Sequence, residues 1–201
     1  MELDILGNGP SLSLFDNNKN KKDLTIACNI PIEGLDIDYT CIIDISPLKV
    51  LAKSPELLQG IPAILSSRSY EYVLREKIRI EVAGELELFK NKQISKVIPA
   101  NSAHHSIFWA LAQYSEIDKV NLWGIDSLWQ NSTESRTHRI VNKRSDINRN
   151  SIRSIWLKYW SYVFNLYDQT EFNIMIPHGN HNSCFLNSSH NYPNISMTTI
   201  I

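Results

Sequence analysis

What the chain lacks narrows its class before any motif is read. No apolar run approaches the roughly 20 residues that span a bilayer, so no transmembrane segment is expected. Neither sign of charge is in excess. The 20 Lys and Arg stand against 21 Asp and Glu, which removes the bulk attraction expected of a nucleic-acid or anionic-membrane binder. Cysteine is scarce and odd in number, and Cys28, Cys41 and Cys184 lack metal-binding spacing. The first two sit inside apolar runs, as reduced core thiols of a cytoplasmic protein do. Acidic Glu2 and Asp4 stand where a secretory signal is basic, which also points to the cytoplasm. The 201 residues, 43% apolar and 20% charged, suit one soluble domain with a full core.

What is present begins at the first dozen residues. The apolar run Leu3 to Leu6 stops at Gly7, Asn8, Gly9, Pro10 and Ser11, then resumes at Leu12. Apolar run, glycine turn and helix start describe a buried parallel strand feeding a ligand loop in an open α/β sheet. Gly7 and Gly9 suit positive φ and close approach of a ligand to the backbone. Gly9→Val is therefore expected to abolish ligand binding while leaving the fold intact. Pro10 suits a first helical turn, and Ser11 sets a hydroxyl near free N–H groups that favour an anion. The loop lacks the third glycine of the dinucleotide fingerprint and the Gly-Lys-Ser/Thr of a nucleoside-triphosphate loop.

Further strands are read at Leu24–Cys28, Tyr39–Asp44, Ile61–Leu65, Lys119–Asp126 and Phe172–Ile176. Polar residues stand at the carboxyl ends of three of them: Asn29 just past the first, and Asp44 and Asp126 closing theirs. Their clustering at carboxyl ends points to a ligand crevice along that edge. Ser46 and Pro47 read as an N-cap and first position of a helix. Pro62 suits an edge strand or the first residues of a strand. The runs Ile78–Val82 and Glu85–Phe89 alternate like half-exposed strands, with Gly84 as a turn or inside one irregular excursion. Asn101 or Ser102 caps a helix whose apolar face holds Ile107, Phe108, Leu111 and Ala112. A basic, polar stretch over 129–148 reads as a lid over the crevice or a solvated loop. The aromatic-rich helix from Ile152 to Phe164 reads as core. The architecture expected is α/β and Rossmann-like, a mostly parallel sheet flanked by helices in a single domain. Residues 1–185 form it, and 186–201 are a polar C-terminal tail.

Three segments together carry a family likeness: Leu6 through Leu12, Cys28 with Asn29, and Asn101-Ser102 through Trp123-Gly124-Ile125-Asp126. In that order they resemble the bacterial sialyltransferases that decorate lipooligosaccharide. Related loops occur in 6-hydroxymethylpterin diphosphokinase-like proteins, and phage genomes encode proteins of this pattern. The resemblance implies a nucleotide-activated sugar donor of the CMP-sialic-acid type, a glycan acceptor, and single displacement with no required cofactor or metal. Asn8, Gly9 and Asn29 would hold the nucleotide and phosphate, and Ser102 would face the sugar or phosphate. His138 would be the general base that deprotonates the acceptor hydroxyl. Arg136 and Arg139 beside it would lower its pKa and offset negative charge on the leaving phosphate. Gly7, Pro10, Ser11, Cys28, Asp44, Asn101 and Asp126 complete the expected binding set.

The sequence departs from that family in ways that bear on chemistry. Leu128 and Trp129 stand where its phosphate-neutralising tyrosines fall, and Ala103 replaces the glycine beside the serine. His104 and His105 have no counterpart in it. Two other functions stay open on the residues. One is pterin-type pyrophosphoryl transfer from ATP, with Mg²⁺ on Asp44 and Asp126. The other is a binding or phage structural module that keeps only the fold. An oligomer is compatible with all three.

Overall fold

Short apolar runs rich in Ile, Leu and Val, bounded by turn residues, form strands buried on both faces, as in a parallel sheet. The computed structural model describes residues 1–86, 101–129, 135–140, 149–179 and 192–200. The strands are β1 (Glu2–Leu6), β2 (Leu24–Cys28), β3 (Tyr39–Ile42), β4 (Ala63–Ser66), β5 (Val82–Leu86), β6 (Lys119–Trp123), β7 (Glu171–Pro177) and β8 (Ile195–Ile200). They make one all-parallel sheet in the order β5-β4-β3-β2-β1-β6-β7-β8. The chain winds outward from β1 to β5, then returns to β6 on the other side of β1. That reversal makes β1 and β6 the topological switch point of a doubly wound, Rossmann-like sheet.

The described helices are α1 (Asn17–Asn20), α2 (Ile45–Leu51), α3 (Ser67–Glu76), α4 (Ser102–Gln113), α5 (Arg136–Ile140) and α6 (Arg149–Leu166). The main core joins the sheet to α4 and α6 through Leu3, Ile5, Ile26, Ile107, Trp160 and Phe164. A second cluster, with Leu48, Leu51 and Val73 of α2 and α3, packs on Ile42, Ala63 and Leu65. The aromatics Tyr159, Trp160 and Phe164 of α6 are buried, as the helical spacing indicates. Arg153 of α6 donates from Nε to the Ser127 carbonyl at 2.9 Å, tying that helix to the connection after β6. Among the described residues no helix is long and apolar enough to cross a membrane.

A polar row crosses the sheet. Asp4 is in register with Thr25 and Asn121, Asn121 with Asn173, and Asn173 with Ser196. Asp4 Oδ1 accepts from Asn121 Nδ2 at 3.2 Å and from Trp123 Nε1 at 3.0 Å. Asn173 Nδ2 donates to Asn121 Oδ1 at 3.2 Å, and Thr198 Oγ1 donates to Asn173 Oδ1 at 2.9 Å. A one-residue slip of any of these strands would bury these groups unpaired, so the row fixes register.

Several expectations are corrected. Helix α2 begins at Ile45 with Asp44 as its N-cap, which places Pro47 inside the first turn instead of at its first position. The first loop continues as a single 3-10 turn, Pro10–Leu14, and leaves it at an extended Phe15. The two alternating runs do not form two strands about Gly84, because Gly84 lies within β5 opposite Ile64. A Cβ there would stand 3.0 Å from Trp109 Nε1, so packing accounts for the glycine. Of the two readings of Pro62, the edge strand falls and the strand entry holds: Pro62 immediately precedes the interior β4, and its carbonyl accepts from Thr40 N at 3.0 Å. The presumed tail supplies β8, whose polar residues suit an exposed edge strand and leave little apolar signal.

Candidate functional site

At the switch point the expected ligand loop is fastened to its neighbour. Gly7 N donates to Trp123 O at 2.7 Å, and Gly9 N to Gly124 O at 2.8 Å. Ser11 N donates to Asp126 Oδ2 at 3.0 Å, and Ser11 Oγ donates to Asp126 Oδ1. Asp126 is buried. The anion favoured by the start of the 3-10 turn is therefore the chain's own carboxylate.

The two loop glycines serve this fastening. Neither Gly7 nor Gly9 has positive φ; the left-handed glycine here is Gly124, at φ 63. A Cβ on Gly9 would fall 2.6 Å from Asp126 Cγ and 2.7 Å from Gly124 O, and one on Gly7 would collide with Gly124 O and Ile125 Cδ1. Pro10 is exposed at the turn's first position.

The edge opens instead between β1 and β2. Asn8 Nδ2 donates to the Cys28 carbonyl at 2.6 Å. Asn29 follows at φ 65, one of three described non-glycine residues with positive φ. Asparagine tolerates this region better than most residues, and such strain collects where a backbone must present itself to a ligand. The conformation is held from both ends. Asn29 N donates to Cys41 O at 2.9 Å, and Thr40 Oγ1 donates to the Asn29 carbonyl. Across the gap, Ser102 Oγ donates to Asn29 Oδ1 at 3.3 Å.

Helix α4 brings Ser102 there through its cap. Asn101 Oδ1 accepts from His104 N at 3.1 Å, and His104 Nδ1 accepts from Asn101 N at 3.1 Å. This reciprocal box uses His104 where Glu or Gln is usual. It leaves the Ser102 and Ala103 amides at the helix start, beside Asn29. The box also fixes the tautomer: with Nδ1 accepting, the His104 proton resides on Nε2. That nitrogen is buried without a partner, and the ring packs 4.3 Å from Trp160 and 5.4 Å from Tyr159, centroid to centroid. Burial, with His105 adjacent, lowers the His104 pKa well below its ordinary value, and burial pushes His105 down to about 4. Both are cap and core groups.

Helix α5 closes the group. Arg136 N donates to Asn8 O at 2.9 Å, while its guanidinium donates from Nη1 to Ile30 O and from Nη2 to Pro31 O, each at 2.9 Å. A shallow recess open to solvent is lined by Asn8 and Arg136 together with Leu6, Ala27, Cys28 and Ile30. It is too shallow to enclose a small molecule, whose pockets hold about 300 Å³ or more.

The remaining candidates divide. Cys28 contributes its carbonyl, while its thiol is buried in register with Cys41. Burial, with Cys41 adjacent, raises the Cys28 pKa, and burial raises that of Cys41 to about 12. Asp44 is exposed at the start of α2. Leu128 and Trp129, at the positions of the missing tyrosines, are core. His138 lies on α5 two residues after Arg136, and its side chain is outside the described residues, as is most of 129–148. The contact of Arg136 with the Ile30–Pro31 loop was not signalled by the sequence, because it joins residues more than a hundred positions apart.

Fold and site define a doubly wound parallel α/β protein with a shallow, mainly apolar recess beside Asn8 and Arg136 at the carboxyl edge of β1 and β2. No protein-family model, curated protein or solved structure matches the chain.

Proposed function

We propose that this carboxyl edge binds a nucleotide-activated sugar, of the CMP-sialic-acid type, and that the protein transfers the sugar to a glycan acceptor by metal-independent single displacement. The observation that carries the reading is the left-handed Asn29 held against Ser102 at the start of α4. It sets an amide side chain, a hydroxyl and two helix-terminal N–H groups at one strand edge, a combination suited to a nucleotide phosphate and its neighbouring hydroxyls. Asn8 completes it from β1. His138 is the proposed general base, and what supports it is the docking of α5 on the Asn8 carbonyl through Arg136 N. The pyrophosphoryl-transfer alternative is weakened because Asp126, one of its two metal carboxylates, is committed to Ser11.

Thermal shift and calorimetry against CMP, a CMP-sugar, and ATP with Mg²⁺ test the reading. CMP binding without metal is expected, and ligand at a hundredfold excess over Kd adds about 2.7 kcal/mol of stability. Metal-dependent ATP binding would replace it with pyrophosphoryl transfer, and no nucleotide binding would leave a module that keeps only the fold. For turnover, His138→Ala should lower kcat by roughly 10² to 10⁴ with little change in donor affinity. Unchanged turnover would remove His138 as the base.

A further inference from the structure

Arg136 ties two loops together: its guanidinium donates to the consecutive carbonyls of Ile30 and Pro31, and its backbone N–H donates to Asn8 O. It takes part in none of the ion pairs among the described residues. Partial burial, with no acidic neighbour acting on it, lowers its pKa. Withdrawing a guanidinium from water without a counter-charge is costly, and two neutral carbonyls return only part of that cost. An anion brought by a ligand would offset that cost. The anion-favouring start of the 3-10 turn is already taken by Asp126, so an anion for Arg136 would have to come with a ligand.

We propose that Arg136 is the phosphate-recognising cation of this edge, gripping the phosphate of the bound nucleotide between the Asn8 and Asn29 loops. This rests on the nucleotide reading above. Five N–H groups radiate from a guanidinium, and two are taken by Ile30 O and Pro31 O. The other three match phosphate oxygens in the planar fork that distinguishes Arg from Lys. The carbonyl bonds hold the fork's plane, and the bond from Arg136 N to Asn8 O fixes its root. The residue thereby supplies the charge that buried Leu128 and Trp129 do not.

Calorimetry of CMP, cytidine and inorganic phosphate with wild type, Arg136→Gln and Arg136→Lys tests this. Wild type should prefer CMP to cytidine. Arg136→Gln should weaken CMP by about 10- to 100-fold, the scale of charge-assisted hydrogen bonds, while cytidine affinity holds. Arg136→Lys, which keeps charge without the fork, should fall between. An unchanged CMP-to-cytidine ratio in Arg136→Gln or Arg136→Lys would overturn the assignment and leave the nucleotide reading standing. Equal loss of both ligands would also overturn it, making Arg136 a loop clamp. Arg136-dependent phosphate binding without CMP binding would support the cation and remove the nucleotide. No binding of any of the three would end both.

Discussion

Ser11 gives both its backbone N–H and its hydroxyl to the carboxylate of Asp126, and the three groups are buried together. The pair joins the connections after β1 and β6 across the switch point. A sheet of this topology usually keeps that crevice for ligand, and here a side chain fills it.

Asp126→Ala should therefore act on stability before function. It leaves two buried donors of Ser11 without an acceptor, each costing about 1–3 kcal/mol. Ser11→Ala removes one donor and should cost less, about 1 kcal/mol. The double variant should be less destabilised than the sum of the two, because the groups form one unit. Strict additivity in urea unfolding would show that the contact carries no energy.

Gly9→Ala should destabilise, by roughly 1–3 kcal/mol, the range for overpacking a tight site. The new methyl would meet Asp126 and Gly124 O. This replaces the expectation that a branched residue there would spare the fold and block only a ligand. Gly34→Ala is the control of opposite kind: its φ is 81 and nothing lies near the added Cβ, so only backbone strain is paid. If Gly9→Ala unfolds at the wild-type denaturant midpoint, the packing argument fails.

How far the sequence could be read follows from these residues. Periodicity exposes what is buried for its own sake, so β1, β2, β3, β6, β7 and the aromatic face of α6 were legible. The positions of Asn29 and Ser102 at element ends were legible too, since caps and strand ends have local signatures. Long-range polar contacts have none. Nothing near Asp126 announces Ser11 as its partner, and nothing near Arg136 announces the Ile30 carbonyl. Polar residues inside strands were silent for the same reason, since Asp4, Asn121 and Asn173 are intelligible only in register. β8 was missed because an exposed edge strand needs few apolar residues.

The paired strand thiols should be inert in the folded protein. Cys28 and Cys41 are buried and their pKa values are raised, which starves an alkylating reagent of thiolate. Peptide mapping after iodoacetamide at pH 8 should find both unmodified until denaturant is added. Rapid native labelling of either would place it at the surface.

Acid stability should show two opposed contributions. His105 titrates near its ordinary 6.5 when unfolded but is pushed by burial to about 4 when folded, and His104 lies well below its ordinary value. Between pH 6.5 and 4 the unfolded chain thus binds protons that the folded chain refuses, and stability falls as pH falls, by about 1.4 kcal/mol per pH unit for each full proton. Asp4 works the other way. Burial raises it from 3.8 to about 6 against the opposing effect of its hydrogen bonds to Trp123, Lys22 and Asn121. Between those values the folded chain holds a proton that the unfolded chain has released, so its contribution to stability rises as pH falls. With two histidines against one carboxyl, the net expectation is acid destabilisation through this window. Asp4→Asn should steepen it, because the opposing proton is gone, whatever the substitution does to stability at pH 7. His105→Gln should flatten it. Urea unfolding at pH 4.5, 5.5 and 6.5 reads these slopes directly. A slope for Asp4→Asn equal to that of wild type would mean that Asp4 releases its proton at the same pH folded and unfolded.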